Sequence, residues 1–371
     1  MTLTLARAPA VAEFPRAGHA ARTGSRLLIV SDTLAPDPNG VALIALRTSE
    51  LLGDRGPVHL FGPAGAHASE RITYTGVSRS PIGTADFRLP RPSLRELSVA
   101  VRRSDRIVVH TLGPLGCAAL ILARHHGRQS TLFLHNDFSR LVYHTLGARF
   151  GCVTSRAAAL VERWAVEIAT RVVAPRSLGM KRSDTLRLDP PLFQGQRPES
   201  STGGPIVVAY HGRVSPEKSV DSIVRSIAEA DPARNRFRFR LIGDGSQLSP
   251  TLRLARELEL NVEHIPWCDE PLASLAGADM YVMASRTETY SMATLEAMGC
   301  GVPIIARGVG EIPGYVSHGV NGMLFEHDRQ LPALIRQLAD DGTLRQQLAA
   351  RALTSATPRS VWEQFADAAS Q

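Results

Sequence analysis

The sequence predicts an α/β protein built of two doubly wound domains facing across a cleft, and three observations predict it. The length, 371 residues, exceeds what one hydrophobic core usually organises, so roughly two domains are expected. Short apolar runs alternate with stretches whose apolar residues recur at helical spacing, the pattern of a parallel sheet with helices on both faces. The alternation breaks at 194–205 (QGQRPESSTGGP), a polar Gly, Ser and Pro-rich stretch with linker composition, and then resumes.

Leu27-Leu28-Ile29-Val30 is too short for a helix and apolar throughout, so it reads as a strand buried on both faces. A Pro, Asp and Gly-rich loop at 31–40 follows. Val41, Ile44, Ala45, Thr48, Leu51 and Leu52 then repeat with helical spacing, and Gly53 offers a stop. Val58 to Phe61 reads as the next strand. The pattern resumes with a strand at 107–110, a helix at 115–124, a strand at 131–135, a helix around 154–169 and a strand at 171–174. Beyond the linker, strands are expected at 206–210, 237–242, 280–284 and 303–306, with helices between. The expected division is a disordered leader (1–24), a first domain (25–192), a linker (193–205), a second domain (206–356) and a helix at 357–371 that crosses back onto the first domain. In such sheets ligands bind beyond the carboxyl ends of the strands, so two facing sheets make a deep ligand cleft.

Composition narrows the partners. Aromatic residues are 5%, which argues against base-stacking platforms, and no helix-turn-helix, zinc or RNA-binding signature accompanies the +7 charge, so nucleic acid is not expected. The 40 Arg against two Lys read as codon composition. Cys117, Cys152, Cys268 and Cys300 stand far apart with no nearby His at ligand spacing, so neither a metal site nor a disulfide framework is expected, and a reducing cytoplasm fits. Residues 1–24 lack an apolar signal core, and no run of about 18 apolar residues occurs. The charge is uneven: residues 1–192 carry 25 Arg and Lys against 14 Asp and Glu, or +11, and residues 193–371 carry 17 against 21, or −4.

The densest signal lies in the second half: Gly212-Arg213-Val214-Ser215-Pro216-Glu217-Lys218, then Gly243-Asp244-Gly245, then 285–303 (SRTETYSMATLEAMGCGVP). Glu288 and Glu296 form an E-x7-E pair ahead of an E-A-M-x-x-G-x-P run. In this order and spacing the chain, from about residue 26 onward, resembles glycosyltransferase family 4, the retaining nucleotide-sugar enzymes of GT-B fold, and in particular bacterial mannosyl- and glucosyltransferases.

Arg213 and Lys218 follow a strand at a helix start, where two cations and a helix dipole can meet a diphosphate. A surface ion pair with Glu217 is the alternative. The resemblance implies that the two cations neutralise the leaving nucleoside diphosphate, with no metal and no cofactor. It implies that Glu296 binds the ribose hydroxyls, that Glu288 contacts the donor sugar at the reacting centre, and that the N–H groups of Ser291 and Met292 lie near the phosphates. Ser291 could cap the helix that follows, although many relatives have Gly there. If most of 288–296 is helical, the carboxylates stand about 12 Å apart along the axis. Gly212 and Gly243 serve the donor loops or are simple turns, and Trp267 runs beside the nucleobase or sits in the core.

In the first domain, 36–41 (PDPNGV) looks like the family's P-x-x-N-G-V loop, with Gly40 near donor phosphate and Asn39 on the acceptor side. Residues 134–138 (LHNDF) resemble Y-H-T-D-F, which places His135 at the donor sugar and Asp137 on the acceptor side. Residues 110–116 (HTLGPLG) resemble the H-x-x-x-P-x-G turn of mannosyltransferases and related lipid-glycan enzymes. The expected function is retaining transfer of a hexose to a hydroxyl acceptor. Arg88, Arg91, Arg95, Arg102, Arg103 and Arg106, interleaved with Phe87, Leu89, Leu94, Leu97 and Val101, could rest on an anionic membrane surface, which favours a lipid or lipid-linked acceptor at the inner face of the plasma membrane. A soluble sugar, aminocyclitol or other natural product is the alternative acceptor. A sugar-nucleotide-binding protein without turnover is the non-enzyme alternative.

Overall fold

The computed structural model describes residues 26–34, 37, 40–65, 72–83, 88–135, 137–180, 185–187, 204–266, 271–275 and 277–355. The leader, nearly all of the linker, Asn39, Trp267 and the crossover helix lie outside them.

The first sheet is formed by β1 (Leu27–Val30), β2 (Val58–Pro63), β3 (Ile72–Val77), β6 (Arg106–Val109), β7 (Gln129–Phe133), β8 (Arg171–Ala174) and β9 (Leu186–Arg187). The two remaining strands of this half, β4 (Arg79–Gly83) and β5 (Arg88–Pro90), pair as a separate antiparallel hairpin. The sheet order is β3-β2-β1-β6-β7-β8-β9, parallel throughout. Its helices are α1 (Gly40–Gly53), α2 (Leu94–Arg103), α3 (Pro114–His125) and α4 (Phe138–Ile168). The second sheet, β12-β11-β10-β13-β14-β15, is also parallel. It comprises β10 (Ile206–His211), β11 (Phe237–Ile242), β12 (Asn261–Ile265), β13 (Met280–Met283), β14 (Ile304–Arg307) and β15 (Met323–Phe325). Around it lie α5 (Val220–Ala230), α6 (Leu248–Glu257), α7 (Pro271–Leu275), α8 (Met292–Gly299), α9 (Ile312–Tyr315), α10 (Leu331–Asp340) and α11 (Gly342–Ser355).

The central strands are apolar because both faces are covered. All four residues of β1 and of β13 are buried. In each sheet the chain starts a central strand, runs outward to one side, and returns to pair on the other side, so strand order reverses between β1 and β6 and between β10 and β13. These are the switch points at which a doubly wound sheet opens a crevice.

Three local expectations change. Gly53 is the last residue of α1 rather than a stop beyond it. Lys218 lies not on an α-helix but in a one-turn 3-10 helix, Pro216–Lys218, separated from α5 by Ser219 in left-handed conformation. The helix expected around 154–169 begins at Phe138, 31 residues in all. That run is not one straight rod: 24 residues would span about 36 Å, yet the Phe138 N–H donates to Glu162 Oε2 at 2.9 Å, so α4 doubles back on itself.

Candidate functional site

The second domain places its motif residues on the two loops that leave the β10/β13 switch point. Close contact between strand ends builds the first loop. Gly212 (φ +138°) and Gly243 (φ +129°) follow adjacent strands, and a Cβ on Gly243 would stand 2.1 Å from the Gly212 carbonyl oxygen. Only glycine fits there, in conformation and in space. The Val214 N–H then bonds to Asp244 O at 2.8 Å, tying the Arg213 loop to the Gly-Asp-Gly turn.

Five charged side chains and one histidine meet around this loop. Lys218 Nζ donates to Glu288 Oε1 at 2.6 Å, with the two side chains 22% and 11% exposed. Arg213 Nη2 reaches Glu217 Oε1 at 3.1 Å, the pairing that the sequence offered as its alternative to phosphate binding. Glu217 is buried. Burial raises its carboxyl pKa, but the Ser215 hydroxyl at 2.5 Å and the Arg213 and Lys218 charges outweigh burial, and the net shift is downward. Glu217 therefore stays ionised and holds Arg213 in place. Glu296 is buried with His211 Nδ1 3.1 Å from its Oε2, and His211 is a neighbour that the sequence did not single out. Among the described residues no group of three or more His, Cys, Asp or Glu is arranged to hold a metal ion.

Glu288 precedes the helix and Glu296 lies inside it, as the sequence placed them. Helix α8 begins at Met292, so Glu296 is on its second turn and Glu288 on the loop before it. The expected axial separation therefore does not apply. That loop is held from two sides. The Arg286 N–H donates to Glu217 O and Arg286 Nε to Ser219 Oγ, which joins it to the Arg213 loop. The Glu311 N–H donates to Thr289 O, and Gly310 packs so tightly that a Cβ there would stand 2.3 Å from Glu288 O. Ser291 does not cap α8 with its side chain: its Oγ bonds to Thr294 Oγ1 at 2.8 Å, and its backbone is left-handed (φ +52°). That conformation suits glycine best.

The first domain faces this loop with the start of α1. A Cβ on Gly40 would stand 2.8 Å from Met292 Cγ, so the first residues of α1 and α8 abut and two positive helix ends meet. Ile44 of α1 and Tyr290, Met292 and Leu295 share one apolar cluster. A second bridge runs from the Ser177 N–H, just after β8, to the Glu311 carboxylate.

His135, at the end of β7, is buried and lies 2.9 Å through Nε2 from Nδ1 of His110. Burial lowers its pKa to about 4, so it is neutral at pH 7. The carboxylate of Asp32, missed in the sequence, is buried at the mouth of the β1/β6 switch point. It accepts from Thr111 Oγ1 (2.6 Å) and from the N–H groups of Leu115 (2.8 Å) and Gly116 (3.2 Å), satisfying the N-terminus of α3. Burial outweighs these bonds and raises its pKa. Asp137 accepts from Ser139 Oγ at 2.7 Å just before α4. The structure thus gathers Arg213, Lys218, Glu288, Glu296, Gly212, Gly243, Ser291 and Met292 at the carboxyl end of the second sheet with Gly40 of α1 against them, and sets His135 and Asp137 at the first sheet's carboxyl edge.

Comparisons with known proteins bear on the family and the fold. Residues 194–354 match the family model described as glycosyl transferases group 1. The chain is 32% identical over 172 residues to a D-inositol 3-phosphate glycosyltransferase of Segniliparus rotundus, an alignment covering 43% of this chain and 38% of that one. It is 29% identical over 168 residues to a GDP-mannose-dependent monoacylated alpha-(1-6)-phosphatidylinositol monomannoside mannosyltransferase of Corynebacterium glutamicum, covering 42% and 44%. The match thus spans about two fifths of these relatives' length. The fold extends further: Anabaena Alr3699/HepE, solved in complex with UDP-glucose, superimposes with a TM-score of 0.71 at 19% identity, over 93% of this chain and 98% of that one. The two facing parallel sheets are the GT-B fold.

Proposed function

We propose that this chain, whose residues 194–354 match the family model of glycosyl transferases group 1, moves a hexose from a nucleoside diphosphate sugar to a hydroxyl acceptor, with retention at the anomeric carbon and without a metal. The observation that carries the reading is the Lys218–Glu288 pair, set beside Arg213 where the N-termini of α1 and α8 abut. In this reading Arg213, Lys218 and the two helix ends receive the diphosphate, Glu296 takes the ribose hydroxyls, and Glu288 and His135 contact the sugar. Gly212 and Gly243 keep the donor loops close-packed. The bond from the anomeric carbon to the phosphate oxygen breaks, the acceptor oxygen attaches on the same face, and the acceptor's proton passes to the departing phosphate. Asp137 lies on the acceptor side. Positioning and electrostatic stabilisation supply the rate.

A lipid or lipid-linked acceptor at the cytoplasmic face of a membrane is favoured by helix α2 through its exposed Arg95, Arg102 and Arg103 and through Leu94, 59% exposed, whereas Leu97 and Val101, expected on the same surface, are buried in the first domain's core. No helix among the described residues is long and apolar enough to cross a membrane, so docking would be peripheral. The match to inositol-phosphate enzymes favours a second reading, a soluble polyol acceptor. Co-sedimentation with anionic vesicles separates the two. The lipid reading expects binding at low salt that weakens at high salt, and absence of binding at low salt overturns it. Transfer itself is tested by following the anomeric configuration of the product in the presence of EDTA: an inverted product, or activity abolished by chelation and restored by a divalent ion, contradicts the mechanism.

A further inference from the structure

The pair formed by His110 and His135 has a feature that the transfer mechanism above does not use. Both rings are buried, they lie 16° from parallel, and His110 stacks on Phe133 at 4.9 Å between centroids. Nδ1 of His110 and Nε2 of His135 are 2.9 Å apart. The other nitrogen of His110, Nε2, is buried with no hydrogen-bond partner. His110 is held rigidly: its backbone N–H donates to Val30 O at 3.0 Å, and the next residue, Thr111, is bonded to the buried Asp32 carboxylate. Burial lowers the pKa of both imidazoles, that of His110 further aided by His135, so each ring carries one proton at neutral pH.

Two neutral rings joined by one hydrogen bond have two arrangements. In one, His135 donates from Nε2 to His110, and the proton of His110 must then sit on Nε2, where it is a buried N–H with no acceptor. In the other, His110 donates from Nδ1, its Nε2 is a bare lone pair, and the proton of His135 is on Nδ1. Orphaned buried N–H groups are rarer than under-satisfied acceptors and carry the desolvation cost of an unmade bond. We infer that His110 is a positioning residue: by donating from Nδ1 it fixes His135 as the tautomer protonated on Nδ1, so that His135 offers its ligand a hydrogen-bond donor. Among the described residues no protein group bonds to that Nδ1. An N–H donor selects for an oxygen that can accept, such as a sugar hydroxyl, ring oxygen or phosphate oxygen. The assignment of the ligand as the donor sugar rests on the proposed function, whereas the tautomer does not.

Long-range proton–nitrogen spectra of the intact chain with 15N-histidine, at pH 7 and without substrate, read the tautomer directly. The expected result is His135 protonated on Nδ1 with Nε2 as acceptor, assigned by the signals lost in His135→Asn. A His135 protonated on Nε2 overturns the inference. In transfer assays His110→Asn, whose amide can stand where Nδ1 stood, should keep kcat within about threefold, whereas His110→Leu should lower kcat about tenfold or more with less change in donor KM. Equal losses in both variants, with both still folded, contradict positioning by donation. If the spectra show the expected tautomer but His135→Ala transfers sugar at the wild-type rate, the tautomer stands and it is the proposed contact of His135 with the sugar that fails.

Discussion

Lys218→Ala should lower kcat/KM about 10²–10³-fold while the fold persists, and the size of the loss distinguishes two roles. If Lys218 did no more than pair with Glu288, its removal would cost about 1 kcal/mol, the scale of a partly exposed ion pair, or less than tenfold. Neutralising charge that develops on a departing diphosphate is worth about 3–4 kcal/mol in comparable electrostatic sites. Both side chains keep some solvent access, so the pair is not an inert core bridge. Steady-state kinetics of Lys218→Ala, Glu288→Gln and the double variant check this. If Lys218 acts on phosphate, the two single losses do not cancel in the double variant. If it serves only Glu288, the double variant resembles Glu288→Gln.

Gly243→Ala should cost about 3 kcal/mol or more of stability and lower Tm by several degrees. The new methyl would lie 2.1 Å from the Gly212 carbonyl oxygen, a backbone atom that cannot turn aside, on a residue at φ +129°. Relief requires moving the end of β10 away from β11, which displaces Gly212 and, through the Val214 to Asp244 bond, the Arg213 loop. Thermal denaturation checks the first part and donor affinity of the surviving fold the second. An unchanged Tm would show that the two turns are looser than their packing indicates. Gly127→Ala is the control, since nothing lies within 4 Å of a Cβ there. Its φ of +61° limits its cost to backbone strain, about 1 kcal/mol.

What the sequence made legible was local. The run Leu27 to Val30 is buried on both sides as its continuous apolar pattern required, and the linker composition falls between two complete sheets. The E-A-M-x-x-G-x-P run does open with a helix turn. The partners that give the site its charge balance are distant in the chain and left no pattern: Lys218 finds Glu288 70 positions away, Asp32 finds Thr111 at 79, and His110 finds His135 at 25. His211 fell one residue beyond the expected strand, and only the fold sets it against Glu296. Two errors of local reading have conformational causes. Ser219, in left-handed conformation, separates a 3-10 turn from α5, which leaves Lys218 on the turn and not at the start of that helix, whereas Glu288 lies ahead of α8 as the sequence placed it. The doubling back of α4 brings Glu162 to the helix's own beginning, where it does the capping that no residue near Phe138 advertised.

Binding of a nucleoside diphosphate sugar on Arg213 and Lys218 is tested most directly by thermal shift of the intact chain against GDP, UDP, ADP and dTDP sugars in EDTA. The expected result is a rise in Tm with at least one donor that is lost in Arg213→Ala and Lys218→Ala variants of unchanged basal Tm. A panel in which no nucleotide sugar raises Tm, or in which both variants respond like the wild type, would contradict it.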